Sequence, residues 1–353
     1  MKGLRLYLPP FAPDQSGAVS VLYRLGGLIV ICDAGGCTGN ICGFDEPRWF
    51  QEKSAIFSAG LRDMDAILGR DDRLISKLGT AARQIDAKFA AIIGTPVPAV
   101  IGTDYQALKH MAENELHMPV LTIDTNGTRL YDEGAAKAFL SLFAAFAVDS
   151  AEPGPDTFGI LGATPLDLEM ACTPDLLLQM LKERGCKHVL CHGMDGSVET
   201  IAAAGKASRN FVLSPVGLTA AQFLQKKFGT PYECFDPTAA AALRQAMQQQ
   251  QISIPSCWKK ILILHQQIRA NTLRQYLRTK LPDAQITVAT WFMTVPEDTL
   301  PQDTILQEEE DFQQLVQENT YDCIIGDALF QRAIPDFTGT YLMLPHFAVS
   351  GRA

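Results

Sequence analysis

The sequence is poor in the features that mark several large function classes. Basic clusters are missing: 30 Lys and Arg stand against 39 Asp and Glu, for a net charge of -9. No stretch reaches the Lys and Arg density of a phosphate-tracking groove, which argues against a nucleic-acid partner. Long apolar runs are missing too. The opening MKGLRLYLPPFAPDQSG lacks the apolar core of about 7–15 residues and the small-residue cleavage site of a secretory signal. The most apolar helical stretch, Gly134 to Val148, carries Lys137 and falls short of the roughly 20 apolar residues a bilayer demands. It reads as a buried helix, with no membrane partner, and a cytoplasmic location is expected. Absent as well are G-x-G-x-x-G, the phosphate loop G-x-x-x-x-G-K-S/T, H-E-x-x-H, a zinc ribbon and any Ser/His/Asp signature. Dinucleotide, ATP and hydrolase chemistry therefore have no motif behind them; if ATP drives this system, another protein carries it.

What is present is a repeated alternation. The 353 residues, 47% hydrophobic and 20% charged, suffice for two or three buried cores. Short apolar runs recur at Leu28 to Cys32, Ala90 to Ile93, Val120 to Ile123, Phe158 to Leu161, His188 to Cys191, Phe211 to Leu213, Ile261 to Leu264, Ile286 to Ala289, Cys323 to Ile325 and Tyr341 to Leu344. Each reads as a strand buried on both faces. Helical spacing separates many of them, as in Pro174 to Arg184, Ala220 to Phe228, Thr238 to Gln249, Asn271 to Leu281 and Glu309 to Glu318. This is the pattern of parallel sheets with helical crossovers, an α/β class. Punctuation at Asp149 to Pro155 and at Gln248 to Ser256 divides the chain into units 1–152, 153–252 and 253–353. They resemble a loose repeat without the period of a solenoid.

Nine cysteines in a chain with no export signal are expected to be free thiols or metal ligands. The informative segment is GLIVICDAGGCTGNICGFDEPRWF, Gly27 to Phe50, where a strand runs into a loop holding Gly35, Gly36, Gly39 and Gly43. Open α/β folds place ligands at this carboxyl edge. Cys32, Cys37 and Cys42, with four residues between each and the next, are the candidate soft ligands for iron. Cys32 also suits simple packing after Ile31, Cys42 suits either role, and Cys37 between glycines is the first choice. Next along the chain, Asp45, Glu46, Arg48 and Trp49 read either as a helix start, with Asp45 the cap and Pro47 in the first turn, or as a contact for a substrate or partner. His192 and His346 follow strands and are candidates for a cleft or for hydrogen-bonded core histidines. Cys172, Cys186, Cys234, Cys257 and Cys323 lack neighbours at ligand spacing and are assigned to packing.

Several segments, in order, resemble the nitrogenase component 1 superfamily, which includes the protochlorophyllide and chlorophyllide reductases and the nickel-tetrapyrrole reductase. They are PPFAPDQSGAVSVLYRLGGLIVICDAGGC, SAIFSAGLRDMDAILGRDDRLISKL, FAAIIGTPVPAVIGTDYQAL, MPVLTIDTNG and LLLQMLKERGCKHVLCHGMDGSVETIAAAGKASRNFVLSP, with KKFGTPYECF beyond. The likeness is strongest over about the first 130 residues and thin in the last hundred. It implies three Rossmann-like domains and an iron-sulfur cluster fed by a separate ATP-dependent P-loop iron-sulfur reductase. The substrate would be small or tetrapyrrole-like. In that family three cysteines hold a bridging cluster; here they fall on Phe11, Cys37 and near Pro96, and only Cys37 keeps a donor. The resemblance then implies a smaller 4Fe-4S cluster. It is shared by a homodimer or paralogous heterodimer through Cys37 with Cys32 or Cys42, or held by the three cysteines of one subunit. A scaffold for cluster or cofactor assembly is the alternative function.

Overall fold

The computed structural model describes residues 5–148, 152–168, 173–194 and 196–352; Cys172 and part of the Asp149 to Pro155 boundary lie outside them. Among the described residues thirteen strands build three sheets, every pairing within them parallel. The first holds β1 (Gly27–Ile31), β2 (Ile56–Ser58), β3 (Phe89–Ile93) and β4 (Val120–Ile123). The second holds β5 (Gly154–Leu161), β6 (His188–Cys191), β7 (Ala207–Val212) and β8 (Tyr232–Cys234). The third holds β9 (Lys260–Leu264), β10 (Gln285–Thr290), β11 (Thr304–Ile305), β12 (Cys323–Gly326) and β13 (Thr340–Met343). Their orders are β2-β1-β3-β4, β6-β5-β7-β8 and β11-β10-β9-β12-β13. Setting aside the added edge strand β11, all three sheets share one wiring, so the repeat includes the first unit as well.

All ten apolar runs form strands. The missed three, β2, β8 and β11, are edge strands with half-exposed side chains, so they have no continuous apolar stretch to betray them. Burial on both faces holds for the inner strands β1 and β3 but fails at the edges, since His188 opens β6 exposed and Met343 closes β13 exposed.

Helix Tyr131–Phe146 is the hub of the molecule. Its apolar residues Ala135, Phe139, Leu142 and Phe143 belong to a core shared with Ile29 of the first sheet, Val212 of the second and Leu264 of the third. Helices Asp14–Leu22 and Leu218–Phe228 pack on it from either side. Helix Ala239–Gln250 buries Leu243 and Ala246 against Trp258, Ile263 and Ile286 of the third sheet. By packing, then, the chain leaves the second sheet before the glutamine-rich stretch. Among the described residues no helix is long and apolar enough to cross a membrane.

Candidate functional site

The loop after β1 is built around Asp33. Its carboxylate accepts the Thr38 amide at 2.7 Å, the Thr38 hydroxyl at 3.0 Å and the Ser58 hydroxyl at 2.6 Å, tying loop to edge strand. Gly35, at φ +120°, makes a turn open to few side chains, and helix Gly36–Asn40 follows, continued by a π-helical turn over Ile41–Asp45. The three candidate cysteines part company here. Cys32 is 2% exposed in the apolar core beside Val30, Leu74 and Ile92, and burial pushes its thiol up to about 12. It is a packing residue; the candidate role as an iron ligand is corrected. Cys37 and Cys42 are half-buried on the loop. Burial raises both thiols; the Asp33 charge adds to the rise at Cys37, and Glu46 then Asp33 add to it at Cys42. Among the described residues no three His, Cys, Asp or Glu side chains gather as a metal-holding group.

Asp33 yields a direct test. A neighbouring negative charge disfavours thiolate, and thiolate is the form that reacts. Asp33→Asn should therefore move the alkylation profile of Cys37 to lower pH and speed its labelling at pH 7 by about threefold to tenfold. Iodoacetamide labelling followed by peptide mass spectrometry reads this, with Cys42 gaining less because Glu46 remains beside it. Unchanged rates at Cys37 would reject the electrostatic account.

The acidic and basic residues after the loop are structural where they are buried. Glu46, not Asp45, caps the short helix Pro47–Phe50, accepting the Arg48 amide at 3.0 Å. The same carboxylate takes Arg48 in a two-point clamp at 2.6 and 2.7 Å, and Arg48 also donates to the Ser20 carbonyl at 2.7 Å while lying over the Tyr23 ring. Both are almost fully buried. They fasten the loop to helix Asp14–Leu22, and a substrate contact by Glu46 or Arg48 is excluded by burial. Removing one partner would strand a charge at a cost of about 3–5 kcal/mol. Trp49 packs its half-buried ring on the core under the Lys53 ammonium. Asp45 alone stays at a solvent-reaching edge, holding the Ser16 hydroxyl at 2.6 Å and the Asn40 amide at 2.7 Å.

The two histidines lie at strand ends, as the sequence suggests, but face inward. His192 is 1% exposed with its ring edge on Phe143, and burial pushes it down to about 3, so it is neutral. The His346 ring sits 3.1 Å from Asp167, 3.2 Å from the Tyr131 hydroxyl and stacked at 4.2 Å on His265. Tyr131 also donates to Asp167, and Arg269 donates to the Asp167 carbonyl at 3.0 Å. Burial drives His265 well below the usual histidine range. These groups occupy the junction where the carboxyl edges of the second and third sheets meet the hub helix. Phe11, Trp291, Phe292 and Phe330 fill the neighbouring space edge to face and stacked. Of the two readings the sequence leaves open, the structure places both histidines in the core and not in a cleft: His346 within a polar network, and His192 against Phe143 with neither ring nitrogen hydrogen-bonded among the described residues. Sequence reading missed Asp33, Asp167 and His265; the signal was a polar residue set just beyond an apolar strand.

A sequence profile of the nitrogenase component 1 type oxidoreductases matches residues 14–250, well over half of the chain. The chain belongs to that family. Curated relatives include the nitrogenase iron-molybdenum cofactor biosynthesis protein NifE of Bradyrhizobium diazoefficiens, 23% identical over 184 residues, and that of Clostridium pasteurianum, 26% identical over 178 residues. Each match takes in 50% of this chain but only 32% and 38% of the relative, so the matched region spans about a third of their length. Among solved structures, nitrogenase Cp1 at pH 6.5 superposes with a TM-score of 0.70 at 12% identity, over 97% of this chain and 87% of its own. The same protein at pH 5 gives 0.69 at 14%, over 100% and 86%. At such identity the likeness establishes the fold, three α/β units of parallel sheets flanked by helices.

Within this family fold, the positions that the resemblance assigns to the other two cluster cysteines have become structural. Phe11 is 4% exposed and wedges into the aromatic group that joins the first unit to the third. Pro96 starts helix Pro96–Ile101 and lies against Gly127, where an added Cβ would come within 2.7 Å of its ring. Neither offers iron a donor.

Proposed function

We propose that this chain is the electron-accepting iron-sulfur component of a reductive system, with one 4Fe-4S cluster shared by two copies through Cys37 and Cys42 of each. The observation that carries this reading is the pairing of two half-buried thiols on one glycine-rich loop at a sheet's carboxyl edge, both within the field of Asp33. The donor chemistry fits iron, because thiolates are its usual protein ligands in such clusters. Two thiols are half of a cluster's set, and a second copy supplies the rest. Space is available for it: an added Cβ at Gly36, Gly39 or Gly43 would meet nothing within 4 Å, and Phe44 and Phe50 project from the same segment, 74% and 78% exposed. Bound there, the cluster would supply one-electron reduction at low potential. The chain's own part is to hold the loop rigid through Asp33 and the Glu46–Arg48 pair and to limit water around the thiols. A separate ATP-dependent P-loop reductase would deliver the electrons in the cytoplasm.

The likeness to the NifE proteins of iron-molybdenum cofactor biosynthesis favours a second reading, a scaffold that holds a cluster in transit during cofactor assembly. One experiment separates the two. Protein purified and reconstituted without oxygen is mixed with a matched ATP-dependent reductase, or with an iron-free acceptor protein. The component reading expects ATP-dependent bleaching of the visible absorption with iron retained; the scaffold reading expects iron to move to the acceptor. Colourless, iron-free protein after reconstitution would defeat both.

A further inference from the structure

We infer that the cavity beside the cysteine loop binds an amphipathic organic carboxylate that also carries a hydrogen-bond donor. The cavity holds about 710 Å³, within the range of about 300–1,000 Å³ usual for small-molecule sites. The segment before helix Asp14–Leu22, the turn Gly127 to Leu130 and the cysteine loop border it, leaving one side open to solvent.

Three of its features point to one ligand chemistry. Gln15 lines the cavity at 6% exposure, yet its Oε1 finds no hydrogen-bond partner. An unpaired buried carbonyl costs about 1–3 kcal/mol, which a ligand donor would recover once the Gln15 side chain turns its enclosed Oε1 toward the cavity. Two guanidinium groups share the same lining. Arg5 lies on the Phe11 ring at 4.2 Å and donates to the Pro9 carbonyl at 3.1 Å, so other N–H groups remain to give. Desolvation lowers its pKa, against the pull of Glu309 and Glu308. Glu309 is itself committed to the Leu6, Tyr7 and Leu8 amides at 2.7–3.0 Å. Among the described residues the Arg129 guanidinium pairs with Glu133 at 3.8 Å, beyond hydrogen-bond reach. A carboxylate suits such groups because it can accept two parallel N–H bonds from a guanidinium. Leu8, Phe11 and Leu130 give the wall an apolar stretch, and Asn40 and Thr128 add polar side chains to it.

Asp45 gives the site direction. It also lines the cavity, and its charge opposes a carboxylate set beside it. The ligand's carboxylate therefore belongs with the arginines and its donor with Gln15 and Asp45. This inference does not depend on the iron-sulfur reading and is tested on iron-free protein.

Isothermal titration calorimetry with 12-hydroxydodecanoate should show one saturable site per chain. Dodecane-1,12-diol, which lacks the carboxylate, should bind at least about tenfold more weakly. Arg129→Met, at a surface position that folding tolerates, should cost the hydroxy acid a similar factor. Gln15→Leu should weaken the hydroxy acid about threefold to tenfold and leave dodecanoate unchanged, which a general loss of packing would not do. Circular dichroism melting confirms that each variant is folded. No saturable heat, equal affinity for acid and diol, or wild-type affinity in both variants would overturn the inference, the last leaving Gln15 to an ordered water.

Discussion

Replacing Cys37 or Cys42 by alanine should each remove iron from the reconstituted protein, from about two iron atoms per chain to less than about one-tenth of that, while Cys32→Ala keeps its iron. The expectation follows from where the three side chains sit. Cys32 is enclosed by Val30, Leu74 and Ile92, its thiol held protonated by burial, and no cluster could reach it without opening the first sheet. Its loss should appear as a small drop in stability, about 1 kcal/mol, from a missing core atom. Cys37 and Cys42 lie half-buried on the open loop, and in the proposed shared cluster each would contribute one of the two ligands that a chain offers. Raised thiol pKa values add a pH signature. Protons must leave before iron binds, so loading should improve as pH rises toward the ordinary thiol range, and Asp33→Asn should shift that improvement to lower pH. Iron and sulfide assays, paired with sedimentation equilibrium to follow the dimer, read all three variants. A folded Cys32→Ala protein without iron, or a Cys37→Ala protein with a full complement, would refute the shared-cluster account.

The sheets were legible because their inner strands carry unbroken apolar runs. Ile261 to Leu264 and Cys323 to Ile325 leave little choice of element, since both faces of those strands are covered. Edge strands such as Tyr232–Cys234 gave no such signal, and their pairing comes from neighbours that a single sequence does not reveal. The site was legible in part. Glycines around Cys37 pointed to the right loop, whereas the fate of each charged residue depended on long-range partners. Arg48 reads as free in the string DEPRWF, but the Ser20 carbonyl and the Tyr23 ring reach it from helix Asp14–Leu22 and its end. His346 likewise met Asp167 and Tyr131 from distant segments, which decided between a cleft residue and a core group in favour of the core. Family membership was legible for a related reason: it rests on the order of many short segments, each fixed by local packing.

The largest loss of stability should come from Gly134→Ala. A Cβ there would stand 1.8 Å from the Asp14 carbonyl oxygen, and one at Gly17 would stand 1.8 Å from that of Tyr131. The two glycines thus let helices Asp14–Leu22 and Tyr131–Phe146 cross almost backbone to backbone. Relief would require the helices to part, and too much depends on the hub helix for that to be cheap. Tyr131 bonds to Asp167 of the second unit, Asp132 accepts the Met293 amide of the third, and helix Leu218–Phe228 packs alongside. Backbone atoms, unlike the end of a flexible side chain, have no rotamer by which to escape. Gly134→Ala should therefore cost more than about 4 kcal/mol, against about 1 kcal/mol or less for Gly36→Ala, whose added methyl meets open space. Urea midpoints followed by circular dichroism make the comparison, and equal midpoints would rule out the close crossing. The same helix Asp14–Leu22 holds Asp45 through Ser16 and Arg48 through Ser20, so its displacement should also loosen the cysteine loop. A Gly134→Ala protein rescued by low temperature should then bind iron poorly even though both ligands remain, because the loop that presents them is oriented by the helix crossing.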